Sequence, residues 1–155
     1  MIEMLIVIAM IAVLGLIAVP ALKENMLRRQ VKEGLLLANV AKDGVQKTYG
    51  ATGKMPANNA DAGVPEPAKI VGNLVSEVNV AQGAVTVTFG NNAGKSLEGR
   101  KVTLRPAVVP NTPVVPIAWI CHQVAVPKGM QVLGSDETDV EMSWLPAECR
   151  SAESK

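Results

Sequence analysis

Hydrophobic and polar positions divide this chain sharply. Met4–Leu22 (MLIVIAMIAVLGLIAVPAL) is an unbroken apolar run of 19 residues, preceded by a single acid, Glu3. As a helix it spans about 28 Å, close to the hydrocarbon thickness of a bilayer. Past Leu22 the pattern becomes amphipathic. Leu27, Val31, Leu35, Ala38 and Val45 recur at helical spacing, and Leu36 and Val40 add a second apolar row. Arg28, Arg29, Lys32 and Glu33 fill other faces. This predicts one helix that continues from the apolar run and ends near Tyr49-Gly50. Gly34 and Gly44 weaken it locally. Pro20 removes a ladder hydrogen bond and is expected to kink or break the helix about one turn back, toward Gly15–Leu16. A passive kink and a point where the helix lets go are both open at that proline.

The second half changes period. Residues 51–67 (ATGKMPANNADAGVPEP) are rich in Ala, Gly, Asn, Asp and Pro, and predict a surface loop without chemistry. Val78–Val80 is a short strand candidate. Ala84–Phe89 alternates Val85, Val87 and Phe89 against Thr86 and Thr88. Gly90–Gly94 reads as a turn. Lys101–Val109 and Val114–Gln123 read as further strands, with Pro106 pushing the first toward an edge or a bulge. The connections are too short for helical crossovers, so the strands form an antiparallel meander. The expected class is α+β: a long N-terminal helix whose second half packs on a small antiparallel sheet.

Glu3 is the residue that needs explaining. A carboxylate costs about 2.5–3.5 kcal/mol at a bilayer centre and less near an interface. An ionisable group there points to function and to a cationic partner. The chain's own amino terminus at Met1 is near, and the amino terminus of a neighbouring copy is the other candidate. A signal peptide fits poorly, because no Lys or Arg precedes the run and the run exceeds the usual apolar length. A plain anchor would leave Glu3 merely interfacial. A buried core helix is disfavoured, since Ile, Val, Leu and Met point all round.

The 155 residues suit one membrane helix and one modest globular domain. The net charge of +1 recommends no nucleic-acid partner on charge alone. Aromatics are only 3%, so the core must come mostly from Val, Leu, Ile and Ala. The chain carries no G-x-S-x-G, no P-loop and no G-x-G-x-x-G. Ser135 and Ser143 have acids nearby, but the one histidine, His122, adjoins Cys121. No enzyme and no cofactor is expected.

The segment IEMLIVIAMIAVLGLIAVPAL closely resembles the N-terminus of mature type IV pilins. Ile2-Glu3, Gly15, Pro20 and the spacing from Glu3 to Pro20 carry the resemblance. In one respect the chain departs from the family, which has two more residues before the segment starting at Met1; the expectation is a processed chain numbered from inside the mature protein. The cations Lys23, Arg28, Arg29 and Lys32 follow the apolar run. By the positive-inside tendency that flank would stay in the cytoplasm. The resemblance implies the opposite arrangement, set by a basic leader that a peptidase removes.

An exported chain favours a disulfide between Cys121 and Cys149 over two unrelated thiols or a metal site. Trp119-Ile120-Cys121, followed by Leu145-Pro146 and Cys149, is moderately similar to the C-terminal disulfide-bounded region of type IVa pilins. Asp136, Glu137, Asp139 and Glu141 lie between the cysteines without the calcium-loop spacing, and read as a solvated acidic loop. Trp144 is either an exposed adhesive aromatic or a packed one, and packing is preferred.

The expected organisation is a transmembrane and filament-core helix at 1–22 and a globular domain at 23–155. The domain divides into an amphipathic helix (23–50), a connecting region (51–77), a sheet (78–123) and the disulfide-bounded region (121–149). The resemblance implies a helical homo-oligomer in which Glu3, Met1, Gly15 and Pro20 serve assembly. It also implies residence in the inner membrane before export to an extracellular pilus. Partners would be a prepilin peptidase, an assembly ATPase and a platform protein. Adhesion to host or abiotic surfaces, twitching motility and DNA uptake are the roles it suggests. A type II secretion pseudopilin, a minor pilin and a non-polymerising anchored binding domain are the alternatives.

Overall fold

The computed structural model describes residues 2–150, with the side chains of all but Ile17, Ala18 and Pro20. Helix α1 runs over Ile2–Thr52 without interruption, so Pro20 does not end it. Its second half presents Leu27, Val31, Ala38, Ala41, Val45 and Tyr49 to the core, all buried. With the buried Gly34 they recur every three or four residues, which places them on one face. The second apolar row, Leu36 and Val40, is exposed instead. It lies on the opposite face, which the sheet does not reach.

The sheet comprises β1 (Val75–Ala81), β2 (Ala84–Phe89), β3 (Lys101–Val108), β4 (Ala118–Cys121) and β5 (Gln131–Val132). The order is β1-β2-β3-β4, all antiparallel, with β5 also pairing β3. The β1–β2 turn is Gln82-Gly83, both at positive φ (49° and 83°), which suits a two-residue hairpin. A Cβ at Gly83 would come within 2.7 Å of the sulfur of the flexible Met55 side chain, so the positive φ is the main demand for glycine here. Val78, Val80, Val85, Val87, Phe89 and Val102 fill the core against α1.

Two strand expectations need correction. The fourth strand is only Ala118–Cys121, because Val114–Ile117 lies in a proline-bounded turn. Strand β3 is interior, not an edge, despite Pro106. The Pro106 carbonyl accepts from Leu133 N at 2.9 Å, at a point where the pairing of β3 with β2 has stopped. A residue's nitrogen and carbonyl face the same side in a strand, so the imide nitrogen also faces Leu133, just past both the last β2–β3 pair and the end of β5, where no regular ladder is interrupted.

The polar face of β2 differs too. Thr86 and Thr103 pair across the sheet at 3.0 Å between hydroxyls, and both are buried. Residues 136–139 run alongside β3 past the end of β4. Asp139 N donates to Lys101 O at 3.1 Å, and Glu137 N donates to Thr103 Oγ1 at 3.1 Å. That segment takes the place of solvent at Thr103.

The loop at 51–67 is not purely superficial. Asn59 is buried, and its Nδ2 donates to Pro65 O at 2.8 Å and to Val78 O at 3.0 Å. Its Oδ1 accepts from Val80 N at 2.6 Å. Strand β1 is a sheet edge, so one amide side chain satisfies backbone groups that an edge otherwise leaves open.

Candidate functional site

The site is the half of α1 that the domain leaves uncovered. Ile2, Met4, Leu5, Ile6, Val7, Ile8, Met10 and the other described side chains to Met26 are exposed, and among the described side chains the first buried one on the helix is Leu27. Exposure is high on every face: Ile2 76%, Ile8 61%, Leu16 78% and Leu22 68%. Monomeric soluble proteins rarely carry contiguous apolar surface on this scale, and such surface marks a membrane or protein contact. Among the described residues α1 is the one helix long and apolar enough to cross a membrane.

Glu3 lies in the first turn of α1 and is exposed. A carboxylate there is favoured by the helix dipole. Met1, and with it the amino terminus, lies outside the described residues, as does the side chain of Pro20. A Cβ at Gly15 would meet nothing within 4 Å in the isolated chain.

The C-terminal region is closed by the disulfide Cys121–Cys149, with Cα atoms 4.8 Å apart and a sequence separation of 28. Within the loop, Val140 and Leu145 are buried, and Trp144 packs against the core, not outward. Arg28 of α1 donates from Nη2 to Ser143 O at 2.8 Å and from Nε at 3.3 Å, clasping the loop to the helix. Lys42 Nζ stands 5.4 Å from the centre of the Trp119 ring. Burial holds its pKa below the ordinary lysine value, and Asp43 partly opposes this.

The four acids of this loop take separate partners. His122 Nδ1 lies 3.0 Å from Asp136 Oδ2, and Asp136 Oδ1 accepts from Thr138 N at 3.0 Å. Burial pushes the Asp136 carboxyl up, but the Thr138 hydrogen bonds and His122 together hold it below its usual value. Glu137 pairs with Lys101 at 3.2 Å. Asp139 caps the Lys101 amide, and Glu141 accepts from Ser143 Oγ at 3.0 Å. The acids therefore hold the loop against β3 and β4.

A sequence model for pilin, a bacterial filament protein, matches residues 28–150. The chain is also 34% identical over 160 residues to a type IV major pilin protein, PilE1, of Neisseria gonorrhoeae, which covers 99% of this chain and 87% of that protein. The chain belongs to the pilin family.

Other relatives agree. A fimbrial protein of Neisseria meningitidis serogroup B is 30% identical over 161 residues, spanning 98% of this chain and 92% of its own length. Fimbrial protein EcpC of Eikenella corrodens is 28% identical over 155 residues, spanning 98% and 89%. Pilins are structural filament proteins, and the two parts of this molecule suit that use: a bare apolar rod, and a domain cross-linked at its end. The model brings together Cys121 and Cys149. It leaves Glu3, Gly15 and Pro20 strung along the rod, 12 and 17 residues beyond Glu3 respectively. Sequence reasoning missed Asn59, the Arg28–Ser143 clasp and the His122–Asp136 pair. Gln82-Gly83 makes the β1–β2 hairpin turn, although only its glycine is typical of such turns.

Proposed function

We propose that this chain is the structural subunit of a type IV pilus and polymerises through residues 2–26 of α1. Before assembly the apolar run spans the inner membrane. In the extracellular filament it exchanges lipid for the Leu, Ile, Val and Ala side chains of neighbouring subunits. Packing and a few polar contacts drive such an exchange, because lipid is as apolar as the helix. Gly15, with open space around it, allows a neighbouring backbone to come close. Glu3 supplies the polar contact by pairing with the amino terminus at Met1 of an adjacent subunit, and so sets the axial register. A misaligned subunit would bury an unpaired charge, at a cost of roughly 3–5 kcal/mol.

The observation that carries this reading is that the described apolar side chains between Ile2 and Met26 are exposed on every face, in a member of the pilin family. The partners that follow are a prepilin peptidase, an assembly ATPase and a platform protein. The disulfide-bounded region and the 51–67 loop then lie on the filament exterior, where adhesion, twitching motility or DNA uptake are served. The test is electron microscopy and mass spectrometry of sheared surface material from cells carrying the native chain or Glu3→Ala. The native chain is expected as the main filament component, and Glu3→Ala cells are expected to be nearly bare. Normal filament numbers with Glu3→Ala would reject the register role, and a native chain absent from filaments would reject the whole reading.

A further inference from the structure

The cations just beyond the apolar run are not used by the fold. Lys23, Arg29 and Lys32 are exposed, and none belongs to an ion pair among the described residues. Arg28 differs, being engaged with Ser143. With Glu24 and Glu33 counted, the stretch 23–33 remains net positive. Such a cluster beside a membrane span ordinarily retains its flank in the cytoplasm. Here the flank leads directly into the domain, whose first core residue is Leu27 and which carries the Cys121–Cys149 disulfide. Disulfides persist on the oxidising side. The cluster thus stands on the side opposite to its usual topogenic one, and needs another task.

We propose that Lys23 and Arg29, aided by the field of Lys32, form a collar that binds the headgroup phosphates of anionic phospholipid, in the leaflet from which the domain emerges. The inference rests on reading 4–22 as a membrane span. If that run fills the hydrocarbon layer, Lys23 stands at its boundary, inside a headgroup zone about 5–7 Å deep. Arg29 and Lys32 lie about 9 and 14 Å further along the axis. Side chains on a helix lean toward its N-terminus, so Arg29 reaches back into that zone, while Lys32 acts on anionic headgroups through its charge, at about a Debye length. Leu22 and Met26, exposed beside them, offer apolar surface for their stems. The collar holds the subunit at a defined depth before it is drawn into a filament.

The full-length chain in phosphatidylcholine vesicles, probed with spin-labelled phosphatidylglycerol and spin-labelled phosphatidylcholine, tests this. The expected result is a preference for phosphatidylglycerol of about fivefold or more at low salt, as one cation near an anionic surface supplies. Salt should reduce it. The triple variant Lys23→Gln, Arg29→Gln, Lys32→Gln should show no preference, while Lys23→Arg, Arg29→Lys, Lys32→Arg should keep it. Equal association of both lipids with the native chain, or a preference retained by the glutamine variant, would overturn the collar while the span stands. A native chain that alkaline carbonate strips from the vesicles would overturn the span, and the collar with it.

Discussion

Gly34 of α1 and Phe89 of β2 meet so closely that a Cβ at position 34 would lie 2.4 Å from the ring Cε1 and 3.0 Å from Cζ. The ring is fully buried and cannot retreat. On an open helix face Gly→Ala would stabilise by about 1 kcal/mol. Here overpacking costs about 1–3 kcal/mol, and it decides the sign. Gly34→Ala is expected to lower the denaturation midpoint of the detergent-solubilised chain, whereas Gly50→Ala, with nothing within 4 Å, should not.

Asn59 carries a different kind of weight. Asn59→Ala would leave Val80 N, Val78 O and Pro65 O without their partner. A buried group left unsatisfied costs about 1–3 kcal/mol. A loss of roughly 2–4 kcal/mol is expected for the set on the same basis. Amide exchange at Val80 should accelerate more than exchange at Val87 in the middle of the sheet.

The cross-link between Cys121 and Cys149 restricts the unfolded chain. A loop with a sequence separation of 28 is worth about 3–4 kcal/mol in the chain-entropy account. Replacing both cysteines with Ala should lower stability by that order. It should also open residues 122–148 to proteases before α1 is cut, because the segment is then held to β3 and α1 by non-covalent contacts alone.

Acid should loosen the same region. The Asp136 carboxyl is held below its ordinary value in the folded chain. At pH values between the folded pKa and the unfolded value near 3.9, the unfolded chain binds the proton and the folded chain does not. This contribution is therefore complete above about pH 4 and lost as pH falls through the folded pKa. Asp136→Asn is expected to flatten the dependence of stability on pH in that window, as read by denaturation across pH 2–5. Glu137→Gln should do little, since its pairing with Lys101 is half-exposed.

Much of this architecture was legible before any coordinates. The apolar rod declares itself by length and uniformity, and α1's buried face follows a spacing of three and four. Ala84–Phe89 matches β2 residue for residue. What stayed hidden depends on partners far away in sequence. Leu36 and Val40 have the same chemistry as Leu27 and Val31, and only the position of the sheet decides which row is buried. Thr86 looked solvent-facing because nothing local reveals that its face is covered. Asn59 sits in a polar loop like any other until β1 arrives beside it. Pro106 tolerates an interior strand because it falls between the end of the β2 pairing and the start of the two-residue β5, where no regular ladder needs its donor. At the candidate site, Glu3 stood out at once, because charge in an apolar run is costly wherever it occurs. Its partner belongs to another chain, and no single chain displays it.

The central claim is a contact between subunits, so the most direct measurement is a high-resolution cryo-electron-microscopy map of the native filament. The account predicts the Glu3 carboxylate within hydrogen-bond distance of the amino terminus of an adjacent subunit, inside a core of packed apolar helices. A map placing that carboxylate against lipid or solvent, away from any amine, would contradict it.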